Sequence, residues 1–292
     1  MGSHEAGGLM IGDLVTQDGH IQYGDLLLGE GGAAGWTQLA GWLDMPGLDS
    51  GTTPRPVEHG AWPGRLYAQP RTITVEGVIV REPLGANVAA IRAGTPVAQD
   101  EQPLVVRLDG QTLYAEARCT RRALPITPTH RVGRVYAALQ WEASDPRLYD
   151  PTEVAAGTGL PSAPVGLTYN LTYPLSYGSG GASGAVAVTN GGNADSHPIV
   201  VFAGECDTPS VTVVSTGMVL EFDIALTVAD TLVVDCRAGT ATLNGVASRL
   251  MTRTSRSALL RQFTVPPGAQ EIAFRALSGT ATMTVSRYAA WM

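Results

Sequence analysis

Lysine is absent from the 292 residues, and all 19 basic residues are arginine. Lysine codons are AT-rich, so a GC-rich coding sequence explains this bias better than a demand for guanidinium chemistry. Cysteine is scarce as well: Cys119, Cys206 and Cys236 are odd in number, far apart and outside any CxxC spacing. They read as thiols, not as a disulfide framework or a zinc site. No apolar run approaches the length of a membrane span, so membrane insertion is not expected. The start MGSHEAGG shows no basic-then-apolar leader, so conventional export is not expected either, and His4 makes no metal site. With a net charge of −7, the chain lacks the basic balance of a tight nucleic-acid binder.

Catalytic signatures are missing too. Five histidines are present, and none sits in a GxSxG elbow or a cysteine-protease context. There is no HExxH, EF-hand or Walker loop, and the Gly-rich GEGGAAG opens no periodic helix. Acidic pairs such as Asp49 with Glu58 or Asp223 with Asp235 occur in any acidic chain. No catalytic, cofactor-binding or metal-binding residue is therefore assigned.

The composition favours many short elements joined by turns: 35 glycines and 19 prolines are scattered as punctuation. Charge is uneven, with 12 Arg against 18 acids in residues 1–159 and 7 against 8 afterwards. Arg118, Arg121, Arg122, Arg131 and Arg134 cluster locally and read as a solvated or ion-paired strand surface.

LVTQDGHIQYG predicts a hairpin turning at Asp18-Gly19, and PLVVRLDGQTLYAEARC a second one at Asp109-Gly110. RTITVEGVIV predicts a half-buried strand with Ile73, Val75 and Ile79 inside. PLGANVAAIRAG predicts a short helix with Leu84, Val88 and Ile91 on one face. GRVYAALQWEA places Val135, Ala137, Leu139, Trp141 and Ala143 on one strand face, and Pro146 should end that strand because it cannot donate to a ladder. The Gly/Pro-broken tract around residues 31–64 carries Trp36, Trp42 and Trp62; either it lies over its own core, or it is an arm onto a neighbouring subunit. Those three tryptophans are the candidate subunit contacts.

Past Asp150 the patterning lapses, predicting a first domain over residues 1–150, a linker over 151–164 and a second domain over 165–292. In the second, LTYNLTYPLSY alternates Leu/Tyr with polar residues. Strands are also expected at AVAVTN, PIVVFAG, SVTVVS, MVLEFDIAL, TLVVDC, TATLNG, QFTVPPG, QEIAFRAL and ATMTVSRY. That many strands without a helix predict a β-sandwich.

The early hairpin, the short helix after VEGVIVREP, QPLVVRLDGQTLYAEAR and the closing WEASDPRLYD resemble the first domain of siphophage distal tail proteins. So do LTYPLSYG, VTNGGNADSHPIVVFAG, LVVDCRAGTATLNGVASR, VPPGAQEIAF and VSRYAAWM in the second half. The resemblance implies a mainly β protein: a barrel- or sandwich-like, ring-forming N-terminal domain with one short helix, and a galectin-like antiparallel β-sandwich. It marks Trp141, Asp145, Pro146, Arg147 and Tyr149 as the domain-junction motif. It further implies a hexameric ring at the virion tail tip, assembled in the host cytoplasm and linking the tail tube to the baseplate hub. Expected partners are other copies of the chain, the tail tube protein, the tape measure protein and hub or receptor-binding proteins, with DNA passing through unbound. The alternative is a carbohydrate-binding module whose aromatics recognise host-wall glycans.

Overall fold

The computed structural model describes residues 11–162 and 181–292. It divides into two compact units, one running to Pro151 and the other beginning at Thr152. The Leu/Tyr alternation of residues 167–177 and His4 lie outside the described residues.

The first unit contains β1 (Ile21–Tyr23), β2 (Leu26–Leu28), β3 (Ala34–Gly35), β4 (Gln38–Ala40), β5 (Leu48–Ser50), β6 (Thr53–Pro54), β7 (Ala61–Trp62), β8 (Leu66–Ala68), β9 (Arg71–Val80), α1 (Leu84–Gly94), β10 (Gln102–Leu108), β11 (Gln111–Ala123), β12 (Tyr136–Ala143) and β13 (Leu148–Tyr149). Seven of these close into a barrel in the order β10-β1-β2-β3-β9-β12-β11 and back to β10. Closure pairs the barrel's edges, and the interior fills with Tyr23, Ile73, Val75, Leu104, Leu139 and Trp141. Tyr23 meets Trp141 edge-on at 5.7 Å, and its hydroxyl donates to the Ala117 carbonyl at 3.2 Å. Burial pushes the Tyr23 phenol above its ordinary pKa.

The β10–β11 turn forms at Asp109-Gly110, with φ of 51° and 76°, the paired positive values a two-residue hairpin needs. The first hairpin departs from expectation: β1 and β2 turn at Gly24-Asp25. Asp18 is used differently. Its carboxylate accepts from Gly110 N at 3.0 Å and pairs with Arg107 at 3.3 Å, holding the entry to β1 against the β10–β11 turn.

β12 buries Ala137, Leu139, Trp141 and Ala143, following the alternation in the sequence. Its partner β9 does not keep one parity: Val78 and Val80 are buried and Ile79 is exposed. The cause is a bulge, since Glu76 and Gly77 together oppose Ala138 between the Val75–Leu139 and Val78–Ala137 pairs. Gly77 has φ of +61°, and a Cβ there would lie 1.8 Å from Thr37 Oγ1. α1 buries only Ile91, while Leu84 and Val88 are half-buried. Its C-terminal carbonyls are met by Arg122, whose Nη1 donates to Arg92 O at 3.0 Å and Thr95 O at 2.7 Å.

The second unit contains β14 (Val154–Gly159), β15 (Ala185–Asn190), β16 (Ile199–Ala203), β17 (Cys206–Asp207), β18 (Ser210–Val213), β19 (Met218–Glu221), β20 (Ala225–Leu226), β21 (Thr231–Asp235), β22 (Thr240–Leu243), β23 (Ala247–Ser248), β24 (Gly268–Arg275), β25 (Ser278–Gly279) and β26 (Thr282–Arg287). One sheet runs β14-β26-β16-β21-β22-β23 and the other β15-β24-β18-β19, all antiparallel. Between them pack Val200, Phe202, Val211, Leu232, Ile272 and Phe274, with the two phenylalanine rings 5.5 Å apart. This is the expected sandwich.

Two details of the second half differ from the sequence reading. Residues 154–159, expected within a linker, form an edge strand paired along β26 from Val154–Arg287 to Gly159–Thr282. VAAGTG is too small and unpatterned to announce a strand; its backbone pairing decides. QFTVPPG makes a single bridge, Ser196 with Val265, after a 3-10 turn at Leu260–Gln262. The two prolines after Val265 cannot extend a ladder.

Gly77→Val should destabilise the first unit by about 2 kcal/mol or more, because it demands a positive φ and displaces Thr37. Calorimetry should show the first unit's transition falling while that of the second holds; an unchanged profile would refute the bulge's role.

Candidate assembly surface

Arg71 shares the parity of Ile73 and Val75 on β9 and is as buried as they are. Its Nη1 donates to the carbonyls of Gly41 (2.8 Å), Trp42 (2.9 Å) and Asp44 (2.8 Å), and its Nε to that of Pro146 at 2.7 Å. One planar cation thus ties four backbone acceptors from two separate segments to the barrel wall. Burial pushes the guanidinium below its ordinary pKa, and the nearby Asp44 carboxylate opposes that shift. The chain can lie this close because Gly41 has no side chain: a Cβ there would sit 1.9 Å from the Thr72 carbonyl oxygen. The Asp44 carboxylate also accepts from Gly41 N at 2.7 Å, closing the turn around Trp42.

From this anchor a hairpin extends through two short ladders, β5 with β8 and β6 with β7. Gln69 N donates to Gly47 O at 2.7 Å at its base, and Arg55 N to Gly60 O at 3.1 Å near its tip. Between the ladders the strands nearly touch, since a Cβ on Gly64 would lie 2.2 Å from the Gly51 carbonyl carbon. Leu48, Val57, Trp62, Leu66 and Tyr67 are exposed along it, with Val57 at 91% and Trp62 at 53%. Leu43 and Met45 at the base are each 75% exposed. Two strands without a packed face are marginal in water, so this apolar surface lacks a core.

The three tryptophans have different situations. Trp42 is 2% exposed, so it is a buried post of the arm's root and its ring offers no contact surface. Its backbone carbonyl is one of those that Arg71 gathers. Trp36 is half-buried and donates Nε1 to Gly19 O at 2.8 Å, stapling the approach to the arm onto the barrel. Trp62 alone projects from the arm; the Arg55 guanidinium lies 5.7 Å from its ring centre and pairs with Glu58 at 3.2 Å.

Of the residues marked in WEASDPRLYD, Trp141 lies in the barrel core. Asp145 accepts from the Tyr149 hydroxyl at 2.5 Å and from Arg147 at 3.2 Å, while Tyr149 stacks near Tyr114 at 5.8 Å. With Pro146 O held by Arg71, the turn after β12 and the root of the arm share one anchor. Arg71 went unread in the sequence, although an arginine in phase with Ile73 and Val75 was a usable signal.

Among the described residues no group of His, Cys, Asp and Glu is placed to hold a metal ion. His20 bridges Glu30 O (2.9 Å) and Thr16 N (3.3 Å) as a structural post. Burial raises the pKa of the Cys119, Cys206 and Cys236 thiols, which disfavours the reactive thiolate.

Residues 191–291 match the family described as siphovirus-type tail component, C-terminal domain. The matched residues lie within the second unit. No curated protein matches the sequence. Among solved structures, the chain is similar to SPP1 Dit (gp 19.1), titled a paradigm of hub adsorption apparatus in Gram-positive infecting phages: TM-score 0.59, 11% identity, covering 87% of this chain and 93% of that one. It is also similar to a chain of the phage P2 baseplate in its activated conformation with Ca, with TM-score 0.51, 11% identity and coverage of 88% and 91%. The siphophage tail resemblance and the mainly β fold with one short helix are thus borne out.

Arg71→Lys cannot reach four carbonyls from one ammonium and should cost about 3 kcal/mol, counting the acceptors left buried. Limited proteolysis should cut residues 41–69 faster in this variant; equal cutting rates would contradict the anchoring role.

Proposed function

We propose that this chain is a structural subunit of a phage tail tip: a distal tail protein that forms a homohexameric ring joining the tail tube to the baseplate hub and host-recognition proteins. It carries out no catalysis and uses no cofactor. The observation that carries the reading is the arm of residues 43–69, which is rooted by Arg71 and exposes Trp62, Leu66 and Tyr67 with no core of its own. Another copy would supply that core. An arm reaching from one copy to a different surface on the next makes a head-to-tail contact, and such contacts close into rings when the rotation permits. The copy number six and the neighbours at the tube, tape measure and hub come from the resemblance to distal tail proteins. The tail domain at residues 191–291 and the two solved relatives support the same reading.

The ring leaves a lumen through which DNA passes. An excess of acids over arginines in residues 1–159 suits a passage that must not hold phosphates. Residues 1–150 form the ring in this account.

Native mass spectrometry with negative-stain imaging of the purified protein tests the proposal, which predicts a closed six-copy ring. Trp62→Ser combined with Tyr67→Ser should leave folded monomers, since both side chains are exposed in the isolated subunit. A monomeric wild-type protein at micromolar concentration, or a double variant assembling as the wild type does, would count against it.

A further inference from the structure

Two asparagines in the chain are followed by glycine, Asn190 and Asn244. The pairing matters chemically, because a glycine carries no side chain to crowd its own amide nitrogen against the preceding residue. Asn190 is 1% exposed and closes β15 opposite Gly268. Its side chain is spent inside the sandwich, donating to Ala194 O at 2.8 Å and Val265 O at 3.1 Å and accepting from Gly192 N at 3.1 Å. Asn244 lies with Gly245 in the exposed turn between β22 and β23, at φ of 52° and 69°, and the space around Gly245 is open. Its side chain closes a clasp on the β20–β21 loop: Oδ1 accepts from Thr231 N at 2.8 Å, and Nδ2 donates to Asp230 Oδ1 at 2.8 Å. Asp230 is fixed in turn by Thr227, whose Oγ1 and N donate to Oδ2 at 2.7 and 2.9 Å. These bonds, those from the Thr227 hydroxyl and the Asn244 amide foremost, hold the Asp230 carboxyl at about 2, so it is an anion near neutral pH.

We infer that Asn244 is a modification site: it deamidates through attack by Gly245 N, at a rate set by how often its clasp to Asp230 opens. While the clasp is closed, the amide is held on Asp230 and Thr231; once it opens, Cγ is free to meet the glycine nitrogen. That nitrogen gives its proton to solvent and bonds to Cγ, the Cγ–Nδ2 bond breaks, and Nδ2 takes up a proton and leaves as ammonia. Water then opens the cyclic imide at either carbonyl, giving aspartate or the isomer whose main chain runs through Cγ. The only co-reactant is water. Either product puts a carboxylate where the amide donor stood, facing the Asp230 anion, and like charges at that separation repel. The clasp therefore does not close again, and the β22–β23 turn is released from the β20–β21 loop. Asn190 has neither access to water nor a backbone free to bend, because it is buried and paired in a ladder.

The test is to incubate the full chain at mildly alkaline pH and follow both asparagines by proteolytic digestion and mass spectrometry, which reads the exchange of NH for O. Trypsin releases residues 238–249 as one peptide whose only side-chain amide is Asn244. Product should accumulate at Asn244 ahead of Asn190. Asp230→Ala should speed the reaction at Asn244 on the order of tenfold, since it removes a hydrogen bond to a charged acceptor, and leave Asn190 unchanged. Thr227→Ala, on the exposed loop, loosens Asp230 without touching Asn244; it should act in the same direction, and it decides the matter if Asp230→Ala fails to fold and both sites speed up together. Asn244→Asp, the product in place, should lower the thermal transition of the second unit, and combining it with Asp230→Asn should restore that transition, because an amide and a carboxylate again face each other. An Asn244 rate unaffected by Thr227→Ala, or Asn190 reacting first in the folded protein, would overturn the inference.

Discussion

The first unit depends on satisfying four backbone carbonyls with one buried guanidinium. A barrel wall offers no hydrogen bonds to a segment that leaves it, so the carbonyls of Gly41, Trp42 and Asp44 need another partner. Arg71 meets them and the carbonyl of Pro146 together. The root of the arm and the turn after β12 are therefore fixed by the same cation. Gly41 and Trp42 complete the root, one by allowing close approach and the other by burying its indole. With its base rigid, the arm can remain two strands wide and still present its apolar residues in a defined direction.

Where hydrophobic alternation or turn chemistry acts alone, the structure could be read from the residues. The Asp109-Gly110 turn, the buried face of β12 and the short helix are of this kind. Where a third segment intervenes, local reading fails. Ile79 sits on the expected parity yet faces outward, because the bulge at Gly77 shifts the strand by one residue to accommodate Thr37. Asp18-Gly19 has hairpin chemistry, but its carboxylate is committed to Gly110, ninety-two residues away. Val154–Gly159 is a strand only because β26 pairs with it, and the arm's short ladders lie in a tract whose glycines and prolines erase any period.

The candidate site was partly legible for the same reason. Tryptophans in a Gly/Pro-rich tract pointed to the segment that forms the arm, but not to which ring stays outside: Trp42 is buried at the root and Trp36 donates a hydrogen bond to Gly19. The exposed residues that give the arm its character, Val57, Leu66 and Tyr67, have no distinguishing pattern in the sequence. A structural role fits the distribution of polar chemistry in the described residues, where buried arginine, histidine and the junction carboxylate all hold backbone or neighbouring side chains in place.

The central claim is that the arm is completed by another copy of the chain. Hydrogen–deuterium exchange of residues 43–69 in the assembled protein and in the Trp62→Ser, Tyr67→Ser form tests it most directly. The account predicts that arm amides outside the two short ladders exchange slowly in the assembly and fast in the variant. Equally fast exchange in both would mean that the arm stays in water within the ring, and would contradict the claim.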